Sequence, residues 1–164
     1  MSNKIDFDSV MSGDFGTAEK AFNRFLNVIK ILRCENGCPW DKEQTPLSMR
    51  RDLIEEVFEA VDAITQEDAE HAKEELGDVM LNATMISYMY EQSGDFKVAE
   101  VFNELSEKLI RRHPHVFPDS EGKVCAEKEV KDSSQVLSQW DKIKENLEKK
   151  LKGLENEMKK MKKM

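Results

Sequence analysis

No apolar run in this chain approaches the roughly 20 residues needed to span a bilayer. The opening MSNKIDFDSV has neither the basic nor the apolar block of a signal peptide. The expectation is a cytoplasmic protein with no membrane partner. Cysteine is scarce: Cys34, Cys38 and Cys125 are odd in number, which does not suit a disulfide framework and predicts reduced thiols. Cys34 and Cys38 have no second Cys or His pair nearby, so the spacing of a zinc site is missing. Alternation of β-branched and polar residues is rare, leaving little from which to build a sheet. Basic charge is in deficit, with 25 Lys and Arg against 33 Asp and Glu and a net charge of −8. A phosphate backbone is gripped mainly by clustered Lys and Arg, so stable nucleic-acid binding is not expected.

What is present is material for helices. A chain of 164 residues, 39% hydrophobic and 35% charged, suits one domain of amphipathic helices that buries roughly 70% of its unfolded surface. Residues 1–16 show no sustained period and read as a loose leader. Ala18, Ala21, Phe22, Phe25, Leu26, Val28, Ile29 and Leu32 recur at steps of three and four, predicting a first helix with one buried face. Asn36, Gly37 and Pro39 stop it. CPWDKEQTPLSM reads as an ordered connector, interrupted by Pro39 and Pro46 and anchored by Trp40.

A second helix is expected over about 47–65, with Leu53, Ile54, Val57, Phe58, Val61 and Ile64 toward the core. A third is expected over about 68–92, closed by Gly94. Its apolar positions include Leu76, Val79, Met80, Ala83, Met85, Ile86 and Met89. The short connector predicts that these two helices pack antiparallel. A fourth helix at about 98–112 ends before Pro114. Residues 119–134 read as a loop, and helix returns over 136–164. Residues 147–164 form a lysine-rich helical tail in which Leu147, Leu151, Leu154, Met158 and Met161 resemble a short coiled-coil seam. The fold class is therefore all-α, an antiparallel helix bundle. Three helices of moderate length cover their apolar faces only partly, so a homo-oligomer, at least a dimer, is expected to complete the bundle.

Two acidic clusters stand on consecutive helices: Glu55, Glu56 and Glu59 within EEVFE, then Glu74, Glu75 and Asp78 within EELGD. Residues three or four apart share a helix face, which pairs Glu56 with Glu59 and Glu75 with Asp78. Asn82, one turn beyond Asp78, extends the second row. Two unit charges 4 Å apart repel by about 4 kcal/mol at an effective dielectric of 20. Four carboxylates brought together across a helix pair therefore call for a divalent cation, and all-oxygen ligation favours Mg²⁺ or Mn²⁺ over zinc. Solvent-facing acids on ordinary amphipathic helices are the alternative reading. A di-iron bundle is not indicated, because neither Glu59 nor Asp78 belongs to a Glu-x-x-His pair.

The ordered set GCPWDKEQT (37–45), LIEEVFEAVDAI, KEELGDVMLN, KLIRRHPHVF (108–117) and WDKIK (140–144) resembles the MazG family of nucleotide pyrophosphohydrolases. The resemblance implies a domain over 17–146. It also implies Mg²⁺-dependent hydrolysis of an NTP or dNTP to monophosphate and pyrophosphate, with metal-activated water attacking the α-phosphorus and Mn²⁺ as a substitute cation. Glu56, Glu59, Glu75 and Asp78 are then the metal ligands, and Asn82 is a further contact to metal or substrate. Lys108 and Arg112, one turn apart, face the substrate phosphates; Trp140 and Lys144 approach from the last helix, with Trp140 able to stack on a base. Lys42 is a further phosphate contact. Glu55 is a water-orienting base by adjacency alone, since a one-residue step turns it about 100° from Glu56.

Asp52 and His71 stand where some members carry a lysine one turn before each acidic pair. Selective clearance of dUTP or a non-standard nucleotide by the same chemistry, and a non-catalytic nucleotide-binding or helical interaction module, are the alternatives that the sequence leaves open.

Overall fold

The structure is a computed structural model that describes residues 8–117, 132–138, 140–142, 145 and 149. Among residues 8–117 the helices are, in order, α1 (Asp8–Met11), α2 (Ala18–Leu32), α3 (Pro39–Glu43), α4 (Arg50–Thr65), α5 (Ala69–Ser93) and α6 (Val98–Arg112). Among the described residues there is no strand. The chain divides into two compact units within α6, between Val101 and Phe102.

Local chemistry sets the ends of these helices. Thr17 caps α2 by accepting the Lys20 N–H on its hydroxyl. Gly37 then closes the turn out of α2; any side chain there would fall on the carbonyl oxygens of Leu32 and Ile31. Pro39 occupies the first turn of α3, where its missing N–H costs nothing. Thr45 and Ser48 exchange side-chain-to-backbone hydrogen bonds at 3.0 and 3.1 Å, so the chain turns at 46–49 and α4 starts at Arg50 rather than near residue 47. Asp68 caps α5 by accepting the His71 N–H at 3.1 Å. Gly94, with φ of 84°, ends α5 in the left-handed conformation that favours glycine.

In the first unit, the expected loose leader is partly packed. Val10 is buried, and Arg24 on α2 donates to its carbonyl at 2.8 Å while lying over the Phe15 ring. The core joins Ile29 of α2, Met49, and Met85 and Met89 of α5, with Phe25, Leu81, Ile86 and Tyr88 packed against it. The most extensive helix pairing is between α4 and α5, and it differs from the expected one. Ala60 and Ala63 are the buried residues of α4, whereas Ile54, Val57, Phe58, Val61 and Ile64 are exposed, Phe58 to 67%. Glu56, Ala60 and Ala63 form a stripe at steps of four and three. The apolar stripe lies one residue, or about 100°, around the helix. The small stripe lets two helix backbones approach closely and carries the acids inward with it. On α5, Leu76 and Met80 are likewise exposed.

Trp40 is a second correction: it is 57% exposed, while its neighbour Asp41 is buried. Arg33 holds this segment instead, donating from Nη1 to the carbonyls of Asp41 and Gln44 and from Nε to Gln92 Oε1 at 2.7 Å.

In the second unit, α6 runs to Arg112. Val116 and Phe117 then donate their N–H groups to the His113 carbonyl at 2.9 and 3.0 Å. Helix reappears at 133–138 and 140–142. Most of the expected loop at 119–134, Cys125, Lys144 and the 147–164 tail apart from Lys149 lie outside the described residues. No helix among the described residues is long and apolar enough to cross a membrane.

Candidate functional site

The α4–α5 contact carries the acids. Glu56 from α4 meets Glu75 and Asp78 from α5, each offering one oxygen, and the three oxygens lie within 4.8 Å of one another. Three steps of sequence produce this. Glu75 and Asp78 share a face at i,i+3; Glu56 belongs to the packed stripe with Ala60 and Ala63; and a connector of only three residues, 66–68, returns the chain from α4 to α5. Glu75 is 7% exposed, and Glu56 and Asp78 are half-buried.

The Glu56 carboxyl is held above its usual range, first by burial and then by the charges of Asp78, Glu59, Glu75 and Asp52. A divalent cation bound to these oxygens reverses that preference. The donor set suits a hard cation, being all carboxylate oxygen. Asn82 supplies an independent sign of a missing partner. It is 5% exposed and donates from Nδ2 to the Asp78 carbonyl at 3.1 Å, yet its Oδ1 is buried with no hydrogen-bond partner among the described residues. Buried acceptors are normally satisfied, and a water in the hydration shell of a cation on Asp78 would meet this need.

The other residues singled out in the sequence divide by location. Glu59 is exposed and lies outside the set of three, though near enough to act on Glu56. Glu55 is turned outward, where its Oε1 accepts from Arg51 Nε at 2.9 Å. The structure therefore does not bring Glu55 to the acids. Lys42 is exposed, and its Nζ donates to the Glu35 carbonyl at 2.8 Å.

In the second unit, Lys108 and Arg112 stand one turn apart on α6. Arg112 Nε, His115 Nδ1 and Trp140 Nε1 are all buried and without hydrogen-bond partners among the described residues. His113 packs edge-on to Trp140 at 5.1 Å between centroids, and the His113 and His115 rings are 5.7 Å apart. One contact was missed from sequence: His71 Nε2 lies 2.9 Å from Glu75 Oε1. Its signal is the i,i+4 step from His71 to Glu75, the reverse order of a Glu-x-x-His pair.

Residues 44–117 match the MazG nucleotide pyrophosphohydrolase domain. Over 123 residues the chain is 43% identical to YabN of Bacillus subtilis strain 168, covering 75% of this chain and 24% of that protein. It is 40% identical over 123 residues to the nucleoside triphosphate pyrophosphohydrolase of Escherichia coli K12, covering 74% of this chain and 44% of that one. The chain thus spans less than half the length of these relatives. The crystal structure of a MazG-related protein from Thermotoga maritima superposes with a TM-score of 0.60 at 21% identity, covering 75% of this chain and 98% of that one. At that identity the likeness concerns the fold.

Proposed function

The chain carries a MazG-family domain at residues 44–117, and from that premise we propose that it hydrolyses nucleoside triphosphates, NTP or dNTP, to monophosphate and pyrophosphate with Mg²⁺ as its cation and Mn²⁺ as a substitute. The observation that carries this reading is the meeting of Glu56, Glu75 and Asp78 within 4.8 Å. These three hold the cation, and Glu59 completes the set from the rim. Asn82 Oδ1 accepts a hydrogen bond from water beside them. When bound, the metal neutralises the triphosphate, favours ionisation of the attacking water and offsets charge on the leaving pyrophosphate.

The chain's own part is to bind and orient. Lys108 and Arg112 are assigned to the phosphates, where a guanidinium forks onto two oxygens and an ammonium acts as a point charge. The unpartnered Arg112 Nε supports this role. Trp140 is assigned to the nucleoside, and Lys144 to nucleotide binding. Lys42 reaches phosphate only by leaving the Glu35 carbonyl.

The same proposal includes an antiparallel α4–α5 pair and a homo-oligomer, at least a dimer. A second copy buries the outward stripe of Ile54, Val57, Phe58, Val61 and Ile64, which this chain leaves exposed.

A panel of NTPs and dNTPs, dUTP included, tests the activity. With Mg²⁺ the full chain should release monophosphate and pyrophosphate in equal amounts from at least one nucleotide, and EDTA should stop it. Release of inorganic phosphate and a nucleoside diphosphate would contradict the reading. Binding without turnover would leave a non-catalytic module.

A further inference from the structure

We propose that His71 is a positioning residue that holds the Glu75 carboxylate in the orientation required for cation binding. The inference rests on the metal-site reading above and adds a residue to it. Glu75 is the most buried of the three clustered acids, its side chain only 10% exposed, and His71 Nε2 lies 2.9 Å from its Oε1. Bulk water has little access to fix the carboxylate's rotation, and the imidazole at 2.9 Å is the group placed to do so. The contact is to Oε1 and leaves Oε2 for a cation.

The histidine is itself placed by the helix start. Its backbone N–H is tied to Asp68 Oδ1 at 3.1 Å, which seats residue 71 at the third position of α5 and directs its side chain along the face that carries Glu75 one turn later. Partners behind metal-binding side chains set ligand orientation and commonly govern metal affinity.

The test is titration of the full chain with Mn²⁺ alone, without nucleotide, by calorimetry or by the Mn²⁺ electron paramagnetic resonance signal. His71→Ala should weaken Mn²⁺ binding by about 10- to 100-fold, with unchanged melting in EDTA. His71→Gln, whose side-chain amide can place an N–H near the same point, should recover most of that affinity. At saturating metal the KM for nucleotide should stay at the wild-type value in both variants. Equal Mn²⁺ affinity in wild type and His71→Ala would overturn the inference while leaving the metal site standing. A raised KM at saturating metal with Mn²⁺ affinity intact would place His71 on the substrate phosphate and overturn it as well. Wild-type protein that binds no Mn²⁺ would remove the metal site and this inference with it.

Discussion

Asp78→Asn should lower Mg²⁺-dependent pyrophosphate release by about 10²- to 10⁴-fold, because a bound metal supplies several kcal/mol of charge stabilisation and each factor of ten corresponds to about 1.4 kcal/mol. The same substitution should raise the melting temperature of metal-free protein at neutral pH. Burial is the first cause of the elevated Glu56 carboxyl and the Asp78 charge the second. A carboxyl whose folded pKa is raised destabilises the fold increasingly as pH climbs from its unfolded value through the folded one. Removing the Asp78 charge relieves part of that loss. As pH falls to about 4, into the ordinary carboxylate range, the difference should vanish. Asn82 bonds the backbone carbonyl of Asp78, so the substitution spares that contact. Turnover assays at saturating Mg²⁺ and thermal melts in EDTA across pH check both arms. A fully active variant, or one that melts lower without metal at neutral pH, would contradict this assignment.

Phe58→Glu combined with Val61→Glu should convert the assembly to monomer. Both residues lie on the exposed α4 stripe, and burying a Phe or Val side chain contributes roughly 1.5–3 kcal/mol. The new carboxylates would join Glu55, Glu59 and Asp62 on the same helix and repel their copies across a two-fold contact. The Glu56, Ala60 and Ala63 stripe is untouched, so helical content should persist. Light scattering at micromolar concentration should give at least two chain masses for wild type and one for the variant. A monomeric wild type, or a variant that stays assembled, would reject the shared bundle.

Helix identity was legible because its signals are local. The steps from Ala18 to Leu32, Gly94 after α5 and Pro114 after α6 each act within a turn or two. The acids were legible for a similar reason: Glu75 and Asp78 share a face by spacing, and the three-residue connector brings Glu56 to them. Which face of α4 packs was not legible. Periodicity identifies the apolar stripe but not what covers it, and the intrachain contact went to Ala60 and Ala63 because small residues permit close approach. Trp40 misled in the same way, since its size suggested burial while the start of α3 turns Asp41 inward instead. The Lys42 bond to the Glu35 carbonyl depends on the turn shape around Gly37, which residue spacing does not encode.

Hydrolysis in ¹⁸O-labelled water tests the central claim most directly. Attack at the α-phosphorus predicts the label in the nucleoside monophosphate and none in pyrophosphate, with both products absent when EDTA removes the metal. Label in the pyrophosphate, or label-bearing products formed at the same rate in EDTA, would contradict the account.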